Sequence, residues 1–314
     1  MRLFLTTCFL GLLSLPLTLP AAEVTLEKTE GGVKVLVDGK PFTTYLEKSG
    51  TKPILWPIIG PTGKEMTRSY PMTDAKEGEK SDHIHHRSFW LTHGDVDGIS
   101  FWEENGKLEH GKIEHASYEK MEAGNPAVLV TRNVWKDDSG KLHCEGTRTY
   151  RFGADEKTRW IDLDAVIAPS GDEVTFGDTK EGTFGVRVPG TMKVDAKQGG
   201  QIVNSEGEKD GATWGKRAAW VDYHGPVDGE TLGIAILNHP GSFRYPTYWH
   251  VRTYGLFAAN PFGVKDFTGG KEPSGDQTFK KGETLRLRHR VIFHTGDEKE
   301  GKVAEAFEAF AKEE

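Results

Sequence analysis

"VTLEKTEGGVKVLVDGKPFTTYLEK", residues 24–48, alternates apolar and polar side chains and is interrupted at Gly31–Gly32 and Asp38–Gly39. A period of two places every second side chain on one face of a pleated strand, and Gly-Gly and Asp-Gly pairs supply the positive φ of tight hairpin turns. The stretch therefore reads as a three-stranded antiparallel meander. The same pattern recurs downstream. "PAVLVTRNVWKDDSGKLHCEGTRTYRF", residues 126–152, reads as strand, turn at Ser139–Gly140, strand. "RWIDLDAVIAP", residues 159–169, sets Ile161, Leu163, Ala165 and Ile167 on one apolar face against Trp160, Asp162, Asp164 and Val166. "GIAILNHP" and "LRLRHRVIFHTG", at 233–240 and 285–296, are further strands, and the 38 glycines suit many short strands joined by tight turns. Only the end looks helical: "KEGKVAEAFEAFAKEE", residues 299–314, spaces Val303, Phe307 and Phe310 along one stripe. No repeat, linker or composition shift divides the chain. Residues 23–314 are expected to form one all-β domain, a large antiparallel β-sandwich with a short C-terminal helix.

The N-terminus differs. Residues 1–22, "MRLFLTTCFLGLLSLPLTLPAA", carry Arg2, an apolar core from Leu3 to Leu19 and small residues at Ala21 and Ala22. This is the form of a secretory signal peptide cut near Ala22, with an uncleaved anchor as the alternative. Cleavage removes one Arg and no acid, taking the net charge from −7 to −8. A mildly acidic protein is a poor partner for nucleic acid or anionic membranes. Mean hydropathy is −0.53, and no later stretch is apolar enough to span a bilayer. Cys144 alone remains after cleavage, so no intramolecular disulfide forms, and export without disulfides points to a bacterial-type periplasm. Motifs for serine hydrolases, P-loop enzymes, dinucleotide enzymes and zincins are absent from the sequence.

Three clusters carry the candidate chemistry. "SDHIHHRSFWLTHGDVDGISFW", residues 81–102, packs His83, His85, His86 and His93 beside Asp82 and Arg87. If this segment is extended, His83, His85 and Arg87 share a face, and His83 with His85 can chelate a divalent metal once Glu181, His239 or His250 supplies a further ligand. The other reading is a histidine near neutral pKa acting as acid or base beside a substrate hydroxyl, with Asp82 and Arg87 orienting it. "GDTKEGTFGVRVPG", residues 177–190, offers Glu181 and Arg187 among glycines. "ILNHPGSFRYPTYWHVRTYGLFAANPFG", residues 236–263, holds His239, Arg244, His250 and Arg252 among Tyr245, Tyr248, Trp249 and Tyr254. Aromatic faces beside cationic groups suit sugars, whose C–H faces stack while their hydroxyls hydrogen-bond. Arg68, in "IIGPTGKEMTRSYPM", is a further hydroxyl or anion clamp.

Taken in order, "GPTGKEMTRSYPM", the histidine segment, "EGTFGVRV" and "NHPGSFRYPTYWHVRTYGLFAANPFG" resemble the bacterial PmoA-family proteins, exported proteins with a domain of unknown function. Two positions depart from the family pattern: Ser88 stands where glycine is expected, and Ile84 where proline is common. The family name borrows from a membrane-embedded methane monooxygenase subunit, whose transmembrane helices this chain lacks. The resemblance implies a galactose mutarotase-like β-supersandwich, a fold shared with sugar epimerases and polysaccharide lyases. In aldose epimerases, histidines and a late glutamate act as acid and base. The histidines are present here, but no late glutamate stands in a matching motif, which leaves epimerisation and elimination both open. The expectation is an exported carbohydrate-active enzyme. Its acid–base groups are His85, His86, Glu181 and His250, and Arg68, Asp82, Arg87, Arg187, His239, Arg244 and Trp249 hold the sugar. One alternative is a metal-dependent lyase or oxygenase with His83, His85, Glu181 and His239 as ligands to a divalent ion. The other is a carbohydrate-binding protein without catalysis.

Overall fold

The computed structural model describes residues 22–106 and 109–314, so the leader read at residues 1–22 lies, apart from Ala22, outside the described residues. Numbered in chain order, one sheet runs β1 (Val24–Thr29), β2 (Gly32–Val37), β3 (Lys40–Ser49), β4 (Lys52–Ile58), β5 (Phe89–His93), β11 (Gly182–Arg187), β16 (Leu256–Asn260) and β15 (Tyr248–Val251). The other runs β12 (Gln201–Asn204), β13 (Trp220–Val227), β14 (Glu230–Asn238), β18 (Leu285–Thr295), β9 (Thr158–Pro169), β8 (Leu142–Ala154), β7 (Ala127–Asp137) and β6 (Gly111–Glu122). A small ribbon pairs β10 (Glu173–Phe176) with β17 (Gln277–Lys280), and two short helices follow, α1 (Val264–Thr268) and α2 (Val303–Phe310). The expected sandwich, with its meander at the N-terminal end and its C-terminal helix, is the architecture found. Among the described residues no helix is long and apolar enough to cross a membrane.

The core lies between the sheets because the alternating strands turn their apolar faces toward each other. Ile161, Leu163, Ala165 and Ile167 of β9 are all buried there, as the alternation predicts. Phe42 bridges the layers, meeting Phe152 and Phe293 edge-on with ring centres 6.2 and 6.3 Å away. Cys144 is buried in this core, where desolvation pushes its thiol pKa well above the ordinary value. Helix α2 covers the outer face of the second sheet, burying Val303 and Phe310 against Ala235, Leu237 and Ile292.

The outer face of the first sheet is not covered in this way. Antiparallel register aligns Ile54, Trp90, Gly185, Ala258 and His250 in one row across β4, β5, β11, β16 and β15. Their chain neighbours Leu55, Phe89, Leu91, Phe184, Val186, Phe257 and Trp249 point inward to the core. The row therefore faces outward, with the small Gly185 and Ala258 between Trp90 and His250, and it is buried beneath a second apolar cluster that includes Trp102 and Leu256. At three strand spacings the two ends stand about 14 Å apart.

A polar cluster fastens the second sheet to its C-terminal helix. Asp222 of β13, fully buried, receives His224 Nδ1 on Oδ1 and His294 Nε2 on Oδ2, each at 2.7 Å. His294 Nδ1 also faces the Thr295 carbonyl at 3.2 Å, so both of its nitrogens meet acceptors, an arrangement that favours the imidazolium form. Burial alone would lower the pKa values of His224 and His294, but bonding to Asp222 and its charge more than reverse this, and both are raised. Burial would likewise raise Asp222, and the two imidazoles hold it below its ordinary value. A Cβ at Gly233 or Gly301 would lie 2.1 or 2.3 Å from the His294 ring, so both positions need glycine to let the ring bridge β14 and the turn into α2. The raised histidines contribute stability that is full below their unfolded pKa of about 6.5 and is lost as pH rises through their folded values. The lowered Asp222 adds a loss at the acid end, as pH falls below about 3.8 through its folded value. Thermal melts from pH 6 to pH 9 should show wild-type stability declining. His294→Gln should cost about 3–5 kcal/mol at pH 6, with the gap narrowing toward pH 9.

Candidate functional site

The segment Asp82–Arg87 is a turn and not a strand. His83 adopts φ 45°, in the left-handed region, and His86 N donates to the His83 carbonyl at 3.0 Å. Strand alternation therefore does not apply, and the expected common face for His83, His85 and Arg87 does not form. The turn instead stacks His83 on His86, with ring centres 4.9 Å apart and 8° between planes. Tyr254 extends the stack beyond His83 (5.6 Å, 15°) and Trp90 extends it beyond His86 (5.3 Å, 15°). His85 stands edge-on to His86 at 4.5 Å and tilts against Trp102. Ser88, just after the turn, has φ 58°, a conformation that suits the glycine expected there. Trp90 lies across Gly185, where a Cβ would be 2.6 Å from the indole ring.

Two guanidinium groups close around this stack. Arg68 and Arg187 are only 2% and 3% exposed. Arg68 donates to Asp82 Oδ1 at 3.0 Å and to the carbonyls of His83 and His86 at 2.8 and 3.3 Å, tying down the turn. Arg187 Nη1 donates to His86 Nδ1 at 2.9 Å, its Nη2 lies 3.8 Å from Asp82 Oδ1, and its guanidinium sits 4.8 Å over the Tyr254 ring. A guanidinium can only donate, so His86 Nδ1 is a lone pair, and the neutral ring carries its proton on Nε2. Burial first, then the charges of His85 and Arg187, push His86 well below the ordinary imidazole pKa. Burial, then Lys52 and His83, push His85 down to about 3. Burial and the nearby Arg68 charge bring Arg187 down to about 10. Burial works to raise Asp82, but His83 and the two arginines keep it below the usual carboxylate value. Buried here without a hydrogen-bond partner are Nε of Arg68 and Arg187, Nδ1 of His85 and the indole nitrogens of Trp90 and Trp102. Such atoms ordinarily cost about 1–3 kcal/mol each, so their concentration at one place is a local cost that the surrounding packing sustains.

The remaining candidates divide. His250 is buried on the same outer face, at the far end of the Trp90 row, with Trp214 Nε1 donating to its Nδ1 at 3.4 Å. Burial and the Arg252 charge push it down to about 3. Glu181 flanks the face at the start of β11, pairs with Lys180 at 3.5 Å, and lies close enough for its charge to act on the Tyr254 hydroxyl. Burial raises the Glu181 pKa. Arg87 is committed elsewhere: it forks onto Glu104 at 2.8 and 2.7 Å, and fully buried Lys52 reaches the same carboxylate at 2.7 Å. Burial lowers Lys52 to about 8 despite Glu104. Three residues expected at the site stand outside it. Trp249 faces the core and donates to the Ala218 carbonyl, because β15 alternates and His250 takes the outward position. His239 ends β14 in the other sheet, where it meets the Glu313 carbonyl at 2.9 Å and packs on Phe310. Arg244 braces loops through the carbonyls of Pro261, Gly275 and Asp276.

The third wall is thus Tyr254, His250 and Arg252, the last 5.4 Å over the Tyr254 ring. His239 cannot join His83 and His85 around a metal, because the two sheets separate them. Among the described residues, the gathered set of ligand atoms is Asp222, His224 and Glu298, all within 4.8 Å of one another. There Asp222 already accepts from both His224 and His294, so the set closes on itself. A cleft of about 740 Å³ lies away from the histidines, where Trp160 and Arg290 face α2.

The chain belongs to the family of unknown function DUF6807, which it matches over residues 32–308; that description, and not the PmoA name, is the one the match carries. No curated protein matches the sequence. Among solved structures, it is similar to a beta-arabinopyranosidase at 11% identity and a TM-score of 0.35, over 87% of this chain and 38% of the other. It is similar to the Slr1438 protein of Synechocystis sp. PCC 6803 at 10% identity and a TM-score of 0.37, over 91% of this chain and 100% of the other. It is also similar to the GH36 alpha-galactosidase AgaB of Geobacillus stearothermophilus at 10% identity and a TM-score of 0.38, over 88% of this chain and 39% of the other. The chain therefore spans well under half the length of these two glycosidases.

The close approach of Trp90 to Gly185 gives a direct test of the ring stack. Gly185→Ala should displace the indole, change tryptophan fluorescence and destabilise the fold by about 1–3 kcal/mol in chemical denaturation. An unchanged emission spectrum and stability would show that the stack does not depend on this contact.

Proposed function

We propose that the protein is an exported carbohydrate-active enzyme that works by acid–base chemistry on the outer face of the first sheet. The observation that carries this reading is the combination at one place of a flat aromatic stack, Tyr254–His83–His86–Trp90, with a neutral His85 whose buried Nδ1 has no partner. His83, the exposed member of the stack, puts aromatic surface at the rim, where the C–H groups of a sugar can pack while its hydroxyls reach polar groups. Epimerisation and elimination each need one proton removed and one delivered. His85 is the free lone pair and serves as the base. His86 spends its own lone pair on Arg187 and acts as a positioning residue. Arg187 and Arg68 stabilise negative charge that develops on a substrate oxygen. Glu181, pushed toward its neutral form by burial, supplies the proton.

Saturation-transfer NMR across neutral sugars, keto-sugars, sugar acids and glycosides, followed by product analysis, tests the reading. His85→Ala should lower turnover about 10²–10⁴-fold while ligand binding persists. The acid limb of kcat/KM should lie well below the ordinary imidazole range, because His85 stays neutral down to about 3. Activity should then fall as pH rises through the raised pKa of Glu181. Full turnover by His85→Ala, or binding without turnover across the panel, would overturn the enzymatic reading.

A further inference from the structure

We infer that the ligand of this face is an acidic sugar, one whose carboxylate is held by the Arg187–Arg68 pair while its ring packs against the exposed rim of His83. The inference deepens the sugar-site reading above and rests on it. Its basis is an imbalance of charge that neutral sugar hydroxyls cannot correct.

The chain as a whole carries a net charge of −7, yet cations gather here. Two buried guanidinium groups share one carboxylate, Asp82, and share even that unevenly: Oδ1 is 3.0 Å from Arg68 and 3.8 Å from Arg187. The same oxygen also meets His83 Nδ1 at 3.2 Å. Glu79, the next acid, accepts from the backbone N–H groups of Ser69, Tyr70 and Lys76, and its charge also acts on Arg68, which leaves Arg187 with Asp82. Arg252 lies over the other side of Tyr254, and Lys193 is near enough for the Arg187 charge to act on it. Behind His85 the pattern repeats, with Lys52 and Arg87 sharing Glu104 alone. The three histidines of the turn add no negative charge.

The hydrogen-bond pattern of Arg187 says where the missing anion belongs. Its Nη1 is committed to His86, while Nε has no partner and Nη2 has only the distant Asp82 oxygen. Nε and Nη2 form the edge of a guanidinium that takes a carboxylate through two parallel hydrogen bonds. This edge sits beside the aromatic stack. A carboxylate that enters past Asp82 can reach it while its pyranose ring packs against the exposed edge of His83. Asp82, 39% exposed, occupies the position of one such oxygen, so a ligand carboxylate takes its place against Arg187 in exchange for its contacts with Arg68 and His83. An anion in that place would also offset the cationic charges that add to burial in depressing His85.

The test is isothermal titration of the purified protein with glucuronate and galacturonate against glucose, galactose and the two uronate methyl esters. A short oligogalacturonide forms a further arm that separates a free acid from a uronate within a chain. The acids should bind about tenfold or more tightly than their methyl esters, and the preference should weaken with salt. Arg187→Gln should abolish the preference, and Arg187→Lys should restore part of it. Asp82→Asn, which removes the competing negative charge from the two guanidinium groups, should raise the ratio of acid affinity to neutral-sugar affinity, which keeps the test decisive if Arg187→Gln does not fold. Equal or tighter binding of the neutral sugars or esters overturns the acidic ligand and leaves the sugar site standing, as does a ratio that fails to rise in Asp82→Asn. Binding of neither class overturns both. Acid-selective binding without turnover supports the acidic ligand and removes only the enzymatic reading.

Discussion

The hydrogen bond from Arg187 Nη1 to His86 Nδ1, 2.9 Å long and buried, is the contact on which the rest of the site depends. It fixes the tautomer of His86, keeps that ring neutral and sets its plane. The plane of His86 in turn sets those of His83 and Trp90, and through His83 that of Tyr254. It also leaves Nη2 of Arg187 facing Asp82 at 3.8 Å, at the start of the turn. Without it, a fully buried guanidinium and a fully buried imidazole would each lack their partner, at a cost that a turn with no regular secondary structure could not absorb. Arg68 completes the arrangement by holding the two carbonyls that shape the turn.

The scaffold makes this geometry available through the alternation of its strands. Arg187 ends β11 with its inward neighbour Val186 in the core, and Trp90 stands between inward Phe89 and Leu91 on β5. The apolar half of each strand thus fixes the polar half in space. The glycine at Gly185 lets Trp90 lie flat over β11, so the ring becomes part of the floor and does not stand up from it. Removing the sheet-forming residues would not alter any functional group directly, yet it would scatter all of them.

The fold was legible because it rests on period-two alternation and hairpin turns, which are local properties. The same local rule failed at Asp82–Arg87. There the left-handed conformation of His83 and the contacts from Arg68 override the extended form, and Arg68 is distant in sequence. Of the candidate residues, those in Gly-rich or His-rich segments, Arg187, His86, His85 and Asp82, do come together. Trp249, His239 and Arg244 do not, because strand phase decides the first, sheet assignment the second, and carbonyl contacts from Pro261 to Asp276 the third. Nothing local to Trp90, Trp102, Lys52 or Glu104 sets them apart, since their role arises from register across four strands and from pairing across loops. The same holds for Asp222, His224 and His294, which join only when β13 and β18 flank β14.

Long-range proton–nitrogen NMR of the imidazole side chains, recorded between pH 8 and pH 5 with and without a bound sugar, tests the central claim most directly. The account predicts that His86 remains neutral with its proton on Nε2 throughout. It also predicts that the sugar shifts His83, His85 and His86 together while leaving His224, His239 and His294 unmoved. A His86 that titrates at an ordinary imidazole pKa, or a sugar response confined to the histidines of the second sheet, would contradict it.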